Sequence, residues 1–293
     1  MKRLIGLTAV SALCLGFAAP ALAIGKQQEA KAIAFALNNS VWVLYHEVGH
    51  LFVDQFQLPV LGAREEDAAD ALATLMLLQQ ETEDAEQALR DSVDGWFMSD
   101  IAVSKEDYDK ADFYDPHALD IVRAYGMVCL MVGKHYVDYR PLAGEIGMDR
   151  DRIADCEYDY ELASRSWSAT LKPHLNAGDA GATINVVYDD APGSLAKYGE
   201  MIRDDRLLER AADRVMSDYA LKRPVTFRAM TCDDANAFYD ADLNEIQLCY
   251  EYVQFYYDLK AAELALAGDA GSEDSGDVGG GETGADARDK IDN

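Results

Sequence analysis

The order of apolar and polar positions divides the chain into a long helical stretch and a shorter, mixed one. In the first part, apolar side chains recur every three or four positions, which is the period of an amphipathic helix. This period predicts helices over residues 40–56, 64–80, 83–98, 117–133 and 150–171. Residues 29–37 fit a short helix or a strand that leads to Asn38 and Asn39. Pro141 and Gly144 predict a loop between the last two of these helices.

The pattern changes in the last third of the chain, where strand-like segments alternate with helices. Residues 183–189, TINVVYD, are rich in β-branched side chains and predict a strand. Further strands are predicted over 224–232 and 245–250, and helices over 193–220 and 251–266. Many helices with few strands predict an α+β fold, in which a small β-sheet lies beside a mostly helical body.

Both ends of the chain differ from its body. Residues 1–23 begin with two basic side chains after the first Met, continue with an apolar run and finish in Ala21-Leu22-Ala23, which is the arrangement of a secretory signal peptide. Residues 268–293 are nearly all Gly, Asp, Glu, Ser and Ala, and they predict a disordered acidic tail. Residues 24–267 suffice for one large domain or for two lobes. We therefore expect a periplasmic or secreted protein.

The charge of the chain narrows the choice of partners. There are 26 basic and 53 acidic residues, which gives a formal net charge of −27. Such a charge repels phosphate backbones, so we expect no nucleic-acid partner. Cationic peptides or divalent ions suit an acidic surface better, although the same surface can serve only to keep a protein soluble. Beyond the first 23 residues no stretch is long and apolar enough to predict a membrane span.

The segment HEVGH, from His46 to His50, carries the clearest candidate chemistry. On a helix, residues i and i+4 lie on one face, so His46 and His50 point the same way with Glu47 beside them. Two imidazoles placed in this way can bind one Zn²⁺, and the carboxylate can take a proton from a metal-bound water. The alternative is a chance pair of histidines, so the motif needs a third ligand and a cleft.

A third ligand is available on the next predicted helix, in the run REEDAADALATLMLL. Zinc hydrolases often use two histidines and one glutamate, which leaves a fourth position for water. Glu66 can serve as that ligand, while Asp70, one turn later on the same face, can orient a ligand histidine. Acids also favour the first turn of a helix, and we assign Glu65 and Asp67 to that role alone.

HExxH followed by ExxAD resembles the glutamate-type zincins, which are zinc metallopeptidases. This resemblance implies that His46, His50 and Glu66 bind Zn²⁺, that Glu47 is the general base, and that Asp70 supports the ligands from outside. It also implies a zincin-like helical body. The chain further resembles, over most of its mature length, a family of bacterial secreted proteins described as "putative metallopeptidases". That likeness lies in the blocks LYHEVGHLFVDQFQLPVLGAREEDAAD, HALDIVRAYGMVC, DCEYDYELASRSW and CDDANAFYDADLNEIQLCYE.

Four cysteines remain once residues 1–23 are removed. An even number of cysteines in an exported chain predicts disulfides, and four cysteines allow three pairings. We predict the pairs Cys129–Cys156 and Cys232–Cys249, because each is local and matches a block of the family resemblance. The fold would then be held by two disulfides.

Two further segments are candidates for contact with a substrate. Asn236 and Ala237 resemble the edge-strand segment with which neprilysin-like zincins hold a substrate backbone, although that segment precedes HExxH there and follows it here. The alternative is a disulfide-closed β-hairpin with its turn at residues 240–244. His117 or Arg123 is a candidate catalytic group that would stabilise the developing oxyanion.

These features predict an exported zinc-dependent metallopeptidase that hydrolyses peptide or protein substrates through a metal-activated water, with Glu47 as general base. One alternative is a catalytically silent, zinc-stabilised binding protein of the cell envelope. Another is an acidic exported interaction protein in which HEVGH binds no metal. The sequence leaves the oligomeric state open.

Overall fold

The computed structural model describes residues 24–60, 64–102, 115–178 and 181–273. The predicted signal peptide and residues 274–293 of the predicted tail lie outside these described residues, and the domain boundaries stay predictions. Along the described parts of the chain, no helix combines the length and the apolar character needed to cross a membrane.

The chain folds into a mostly helical body with a small sheet, which confirms the predicted α+β class. The helices of the body come first: α1 Lys26–Phe56, α2 Glu65–Leu78, α3 Glu83–Ala102, α4 Asp120–Lys134, α5 Tyr136–Glu145 and α6 Arg150–Leu171. The second part alternates strands and helices: β1 Ile184–Tyr188, α7 Ala196–Asp205, α8 Leu207–Asp218, β2 Val225–Met230, β3 Ala237–Asp240, β4 Glu245–Cys249 and α9 Tyr250–Glu273. Short 3₁₀ turns cover Lys172–His174 and Gly193–Leu195.

Helix α1 is the central element, buried over most of its second half and packed against α2, α3 and α9. The predicted segments 29–37 and 40–56 are one continuous helix, so the predicted interruption at the two asparagines is wrong. The Asn39 side-chain amide donates to the carbonyl of Phe35 at 2.9 Å and to that of Asp91 at 3.1 Å. Because these bonds satisfy the amide inside the core, Asn39 does not end the helix.

Two other predicted boundaries are also wrong. The expected loop around Pro141 is helix α5, in which burial of Tyr139 and Ala143 outweighs the single backbone hydrogen bond that proline lacks. The predicted helix over 193–220 is two helices, because Arg206 adopts a left-handed backbone, with φ of 55°, between α7 and α8.

The sheet has the strand order β1-β2-β4-β3, with β3 antiparallel to β4 and the other neighbours parallel. Strand β3 was foreseen only as an arm of a hairpin, and the predicted turn at residues 240–244 is confirmed. There the Asp240 carboxylate accepts from the backbone N–H groups of Asp242 and Leu243, both at 2.9 Å. This topology leaves β3 at an edge of the sheet, next to α1.

Both predicted cysteine pairs lie at disulfide distance. Cys129 of α4 is bonded to Cys156 of α6, and Cys232 after β2 is bonded to Cys249 at the end of β4. Gly133 lies where α4 and α6 touch, and a Cβ there would lie 2.2 Å from the carbonyl oxygen of Cys156. Thus one bridge joins two closely packed helices, and the other joins the segment after β2 to the end of β4, the strand that pairs with β3.

Candidate metal centre

Helix α1 carries the motif HEVGH near its C-terminal end, in a part of the helix that is buried almost all round. His46 and Glu47 are buried, while the side chain of His50 is 15 % exposed. The helical spacing of four residues brings both imidazoles to one face, as the sequence predicted. Their ring centroids lie 4.9 Å apart.

Helix α2 approaches α1 at the glycine of the motif. A Cβ on Gly49 would lie 2.9 Å from Cα and 3.0 Å from Cβ of Ala69. Because glycine has no side chain, the two helices can touch at this point. The contact brings Glu66 and Asp70, one turn apart on α2, to the two histidines of α1.

Three donor atoms converge between these helices. The Nε2 atoms of His46 and His50 lie 3.2 Å apart, and Oε2 of Glu66 lies 3.1 Å and 3.2 Å from them, respectively. Four ligands about 2.0–2.1 Å from one Zn²⁺ in a tetrahedron are separated by about 3.3 Å, which is the bond length multiplied by about 1.6. The three separations therefore fit the edges of a zinc tetrahedron.

Each of the two histidines has a carboxylate beside its outer nitrogen, Nδ1. Oδ1 of Asp70 lies 2.7 Å from Nδ1 of His46, off the line of a linear hydrogen bond. Oε1 of Glu65 lies 2.7 Å from Nδ1 of His50. A carboxylate beside Nδ1 favours the tautomer that carries its proton on Nδ1, so that Nε2 of each ring would offer its lone pair to a bound metal ion.

Glu65 is a site residue that the sequence analysis missed, because it was assigned to the helix start alone. It does lie in the first turn of α2, together with Glu66 and Asp67. No signal in the sequence separates Glu65 from Asp67, since both favour a helix N-terminus. Only the approach of α2 to α1 shows which one contacts His50.

The electrostatics of the centre favour a cation. Burial lowers the pKa of His50, but Glu66, Glu47 and Glu65 raise it more, to about 9. Burial also lowers the pKa of His46, and the contacts with Asp70 and Glu66 outweigh that effect. Burial raises the pKa of Glu66, while contacts with three histidines bring it well below its usual range. Raised histidine pKa values show that the local potential is negative.

Glu47 lies next to the three donors without being one of them. Its Oε1 is 4.0 Å from Nε2 of His46. The backbone N–H of Tyr239, on β3, donates to the Glu47 carboxylate, and burial raises the pKa of this carboxyl group above its usual value. A carboxylate so placed can reach a water molecule that lies between it and the three donors.

A cleft of about 650 Å³ opens over the centre. One wall is formed by α1 and α2 and the opposite wall by β3, where Asn236 and Ala237 are among the lining residues, as are Phe238 and Tyr239. The backbone N–H of Cys249 donates to the carbonyl of Asn236. In an antiparallel pair the backbone groups of every second residue face the partner strand, so those of Asn236 and Phe238 face β4. The backbone groups of Ala237 and Tyr239 therefore face the open edge, towards Glu47.

His117 and Arg123 lie on different sides of the centre. His117 precedes α4 instead of opening a helix, and its half-exposed side chain lines the cleft with Nε2 3.0 Å from Oε2 of Glu66. Its ligand atom, with those of His46 and Glu66, forms a group within 4.8 Å. The contact with Glu66 raises the pKa of His117. Arg123 is buried behind Asp70 and is not among the residues that line the cleft.

Comparison with known proteins agrees with the geometry. A family model described as "Putative metallopeptidase" matches residues 14–171 and 191–274, which include the motif, α2 and the cleft strand. No curated protein and no solved structure matches the chain significantly. The family implies a metal ion and peptide substrates, and the three converging donors provide a candidate site for that ion. The chain belongs to the DUF4344 family of "putative metallopeptidases".

Proposed function

We propose that this protein is a zinc-dependent metallopeptidase that hydrolyses peptide bonds. The observation that supports this most strongly is the convergence of two imidazole nitrogens and one carboxylate oxygen, 3.1–3.2 Å apart, at the base of an open cleft. His46, His50 and Glu66 would hold the ion. Bound there, Zn²⁺ would supply Lewis-acid polarisation of a carbonyl and would acidify water.

Glu47 acts as the general base in this proposal. Its carboxylate takes a proton from the attacking water and then delivers it to the nitrogen of the leaving amine. The hydrogen bond from the Tyr239 backbone fixes the carboxylate, and the short distance to His46 keeps it within reach of the scissile bond. Burial of Glu47 keeps bulk water from competing for the proton.

The edge of β3 holds the substrate backbone. Ala237 and Tyr239 turn their carbonyl groups to the cleft, and an extended peptide can lie there as an additional strand and donate its backbone N–H groups to them. Asn236 supports this edge, because its side-chain oxygen accepts from the N–H of Ala237 at 2.9 Å. His117, at the cleft wall, donates a hydrogen bond to the carbonyl oxygen as negative charge develops on it.

The charge of the cleft favours peptides with cationic side chains. Among the described residues that line the cleft there is no Lys or Arg. Four acidic residues line it, namely Glu47, Asp54, Glu65 and Glu66. The net charge of −27 adds a long-range attraction for basic chains. Asp54 is partly compensated by its ion pair with Arg223, so the acids around the histidines dominate the field.

We also propose that the protein is exported. The support is the signal-like composition of residues 1–23 and the two cysteine pairs at disulfide distance, since disulfides persist in oxidising compartments. N-terminal sequencing of protein recovered from the periplasm or medium is expected to begin near Ile24. Recovery of an intact N-terminus from the cytosol alone would contradict export.

The enzymatic proposal is tested with metal analysis and a peptide-library digest of the purified mature protein. We expect about one zinc per chain, cleavage of library peptides, and loss of both metal and cleavage after chelation. Glu47→Gln should retain zinc and lose cleavage. Undiminished cleavage by this variant would refute the role of Glu47, and absence of zinc binding would refute the proposal as a whole.

One observation favours a second candidate function, that of a catalytically silent, zinc-stabilised binding protein. His117 lies within 4.8 Å of the donor atoms of His46 and Glu66, so a fourth protein ligand could close the site. A peptide hydroxamate, which needs an open coordination position, separates the two candidates. Binding of hydroxamate supports the peptidase, whereas bound zinc without hydroxamate binding or cleavage supports the binding protein.

A further inference from the structure

Arg123 is a buried cation directly behind the candidate metal centre. Its side chain is only 8 % exposed. Basic residues are scarce in this chain, which has 26 of them against 53 acidic ones. A guanidinium cannot lose its charge in a protein, so a buried one requires a defined partner. The partner here is Asp70, which also contacts a candidate zinc ligand.

Arg123 engages both oxygens of the Asp70 carboxylate. Its Nε lies 2.9 Å from Oδ2 and its terminal nitrogen lies 2.7 Å from Oδ1. The same Oδ1 is 2.7 Å from Nδ1 of His46. Two parallel hydrogen bonds fix the plane of a carboxylate as well as its position. The oxygen that faces His46 therefore cannot rotate away without breaking the pair.

Two tryptophans hold the guanidinium in turn. Its Cζ lies 4.0 Å from the ring centroid of Trp96 and 5.3 Å from that of Trp42. Trp42 also stacks on the imidazole of His46, with centroids 5.7 Å apart and an angle of 28° between the planes. Stacking on aromatic faces restricts the tilt of a guanidinium and contributes attraction. Arg123 and His46 thus share one aromatic neighbour and one carboxylate.

We propose that Arg123 is a positioning residue for the metal site, which acts through Asp70 to set the orientation of the His46 imidazole. Held in this way, His46 presents the lone pair of Nε2 to the point where the donors of His50 and Glu66 converge. Arg123 does not line the cleft, so the role proposed for it is positioning and not contact with a substrate. The inference rests on the proposed zinc site.

Lysine cannot replace arginine in this arrangement. An ammonium is a point charge that satisfies one carboxylate oxygen at a time, and it has no plane to lie against an indole ring. Arg123→Lys keeps the charge next to Asp70 but releases the carboxylate plane. Changes to groups that orient metal ligands typically weaken metal binding by about 10- to 100-fold. We expect a loss of zinc affinity in that range.

The experiment measures zinc affinity by chelator competition in the mature chain. The variants are Arg123→Lys, Arg123→Gln, Asp70→Asn and the double variant Asp70→Asn with Arg123→Gln. Arg90→Lys is the matched control, since Arg90 also packs over an aromatic ring, 4.8 Å from the centroid of Tyr139, but lies away from the centre. We expect Arg90→Lys to bind zinc as the unaltered protein does.

The double variant tests the route through Asp70. If Arg123 acts on His46 only through that carboxylate, Arg123→Gln should change zinc affinity by less than about 2-fold once Asp70 is already Asn. The double variant removes both buried charges together, so it also folds more readily than a variant with one unpaired charge. Should Arg123→Gln alone fail to fold, the decision rests on Arg123→Lys.

A spectroscopic readout separates positioning from general stability. The visible bands of the Co²⁺-loaded protein report ligand geometry, and they are expected to shift in Arg123→Lys and to stay unchanged in Arg90→Lys. Unaltered bands with unaltered zinc affinity in Arg123→Lys would overturn the inference. The inference would also be overturned if Arg123→Gln lowered zinc affinity by the same factor in the unaltered protein and in the Asp70→Asn variant. If the unaltered protein itself binds no zinc, the proposed function fails instead.

Discussion

One wall of the cleft is formed by α1 and α2, and the opposite wall by the edge strand β3. The helical wall carries the donors and the base within about one turn of each helix, at positions 46–50 and 65–70. The strand wall comes from residues 236–239 and offers mainly backbone groups. In the proposed mechanism all three metal ligands come from the helical wall, whereas the strand holds the substrate and, through the backbone of Tyr239, positions Glu47.

The two walls also differ in how they are stabilised. The helical wall depends on close contact at Gly49 and on paired buried charges such as Asp70 with Arg123. The strand wall depends on pairing with β4 and on the nearby disulfide between Cys232 and Cys249. Changes in the helical wall should therefore affect metal binding. Changes in the strand wall should affect substrate binding while leaving the metal in place.

The largest expected effect comes from the three consecutive acids at the start of α2. Glu66→Gln removes a donor, and zinc affinity should fall by more than about 100-fold. Glu65→Gln removes only the partner of His50 and should cost about 10-fold. Asp67→Asn is the control, because Asp67 is exposed and pairs with Arg64 outside the centre. Equal zinc affinities of all three variants, measured by chelator competition, would contradict the assignment of the ligands.

Gly49→Ala should push apart α1 and α2, the two helices of the helical wall. The added methyl group would lie 2.9 Å from Cα of Ala69, which is closer than packing allows. We expect a loss of about 1–3 kcal/mol in the free energy of unfolding, together with weaker zinc binding. Gly126→Ala on α4 is the matched control, since nothing lies within 4 Å of its added Cβ.

Chemical denaturation with and without zinc measures both glycine variants. Alanine is the better helix former, so Gly126→Ala should leave the free energy of unfolding unchanged or raise it by up to about 1 kcal/mol. A Gly49→Ala protein as stable as the unaltered one, with undiminished zinc affinity, would show that α1 and α2 need no close contact.

Metal removal should expose a pH dependence in the helical wall. The pKa of His50 is raised to about 9 in the metal-free fold. A raised histidine pKa contributes stability that is fully present below its ordinary value of about 6.5 and is lost as pH rises through about 9. The metal-free protein should therefore lose up to about 1.4 kcal/mol per pH unit within this window.

Zinc-loaded protein should lack this slope, because a ligand imidazole carries no titrating proton at the metal-facing nitrogen. Denaturation midpoints at several pH values, with zinc and with chelator, check the difference. The same slope in both samples would mean that zinc does not bind at His50.

The smallest effect is expected at the strand wall. Asn236→Ala removes the side-chain oxygen that accepts from the N–H of Ala237, and the edge of β3 becomes less ordered. We expect KM to rise by about 3- to 10-fold, with kcat and zinc affinity nearly unchanged. Asn185→Ala, at an exposed position on the far edge strand β1, is the control and should alter neither. A loss of zinc in Asn236→Ala would contradict the division between the walls.

The sequence predicted the helical wall better than the strand wall for a physical reason. His46 and His50 lie one helical turn apart on α1, and Glu66 and Asp70 lie one turn apart on α2, so the shared face within each pair follows from spacing alone. The contact between α1 and β3 joins residues almost two hundred positions apart, and no local pattern encodes it. Only a family resemblance therefore suggested that Asn236 lies at the cleft. The hairpin turn at residues 240–244, in contrast, followed from the local turn residues.

Most of the elements that were predicted wrongly depend on contacts between distant parts of the chain. At Asn39 and Pro141 tertiary packing outweighs the local signal, because buried hydrogen bonds carry α1 past Asn39 and burial extends a helix through Pro141. Arg206 differs, since its left-handed backbone ends α7 through local hydrogen bonds. Glu65 was missed for a related reason, since its contact with His50 exists only when α2 lies against α1. Local propensity describes the segments but not the contacts between them.

The most direct test of the zinc site is anomalous scattering at the zinc edge from crystals of the mature protein grown with zinc. We predict one strong peak within about 2.0–2.2 Å of Nε2 of His46, Nε2 of His50 and a carboxylate oxygen of Glu66. No peak at this position, or a Glu66 side chain turned to bulk solvent with the ion bound elsewhere, would contradict the account.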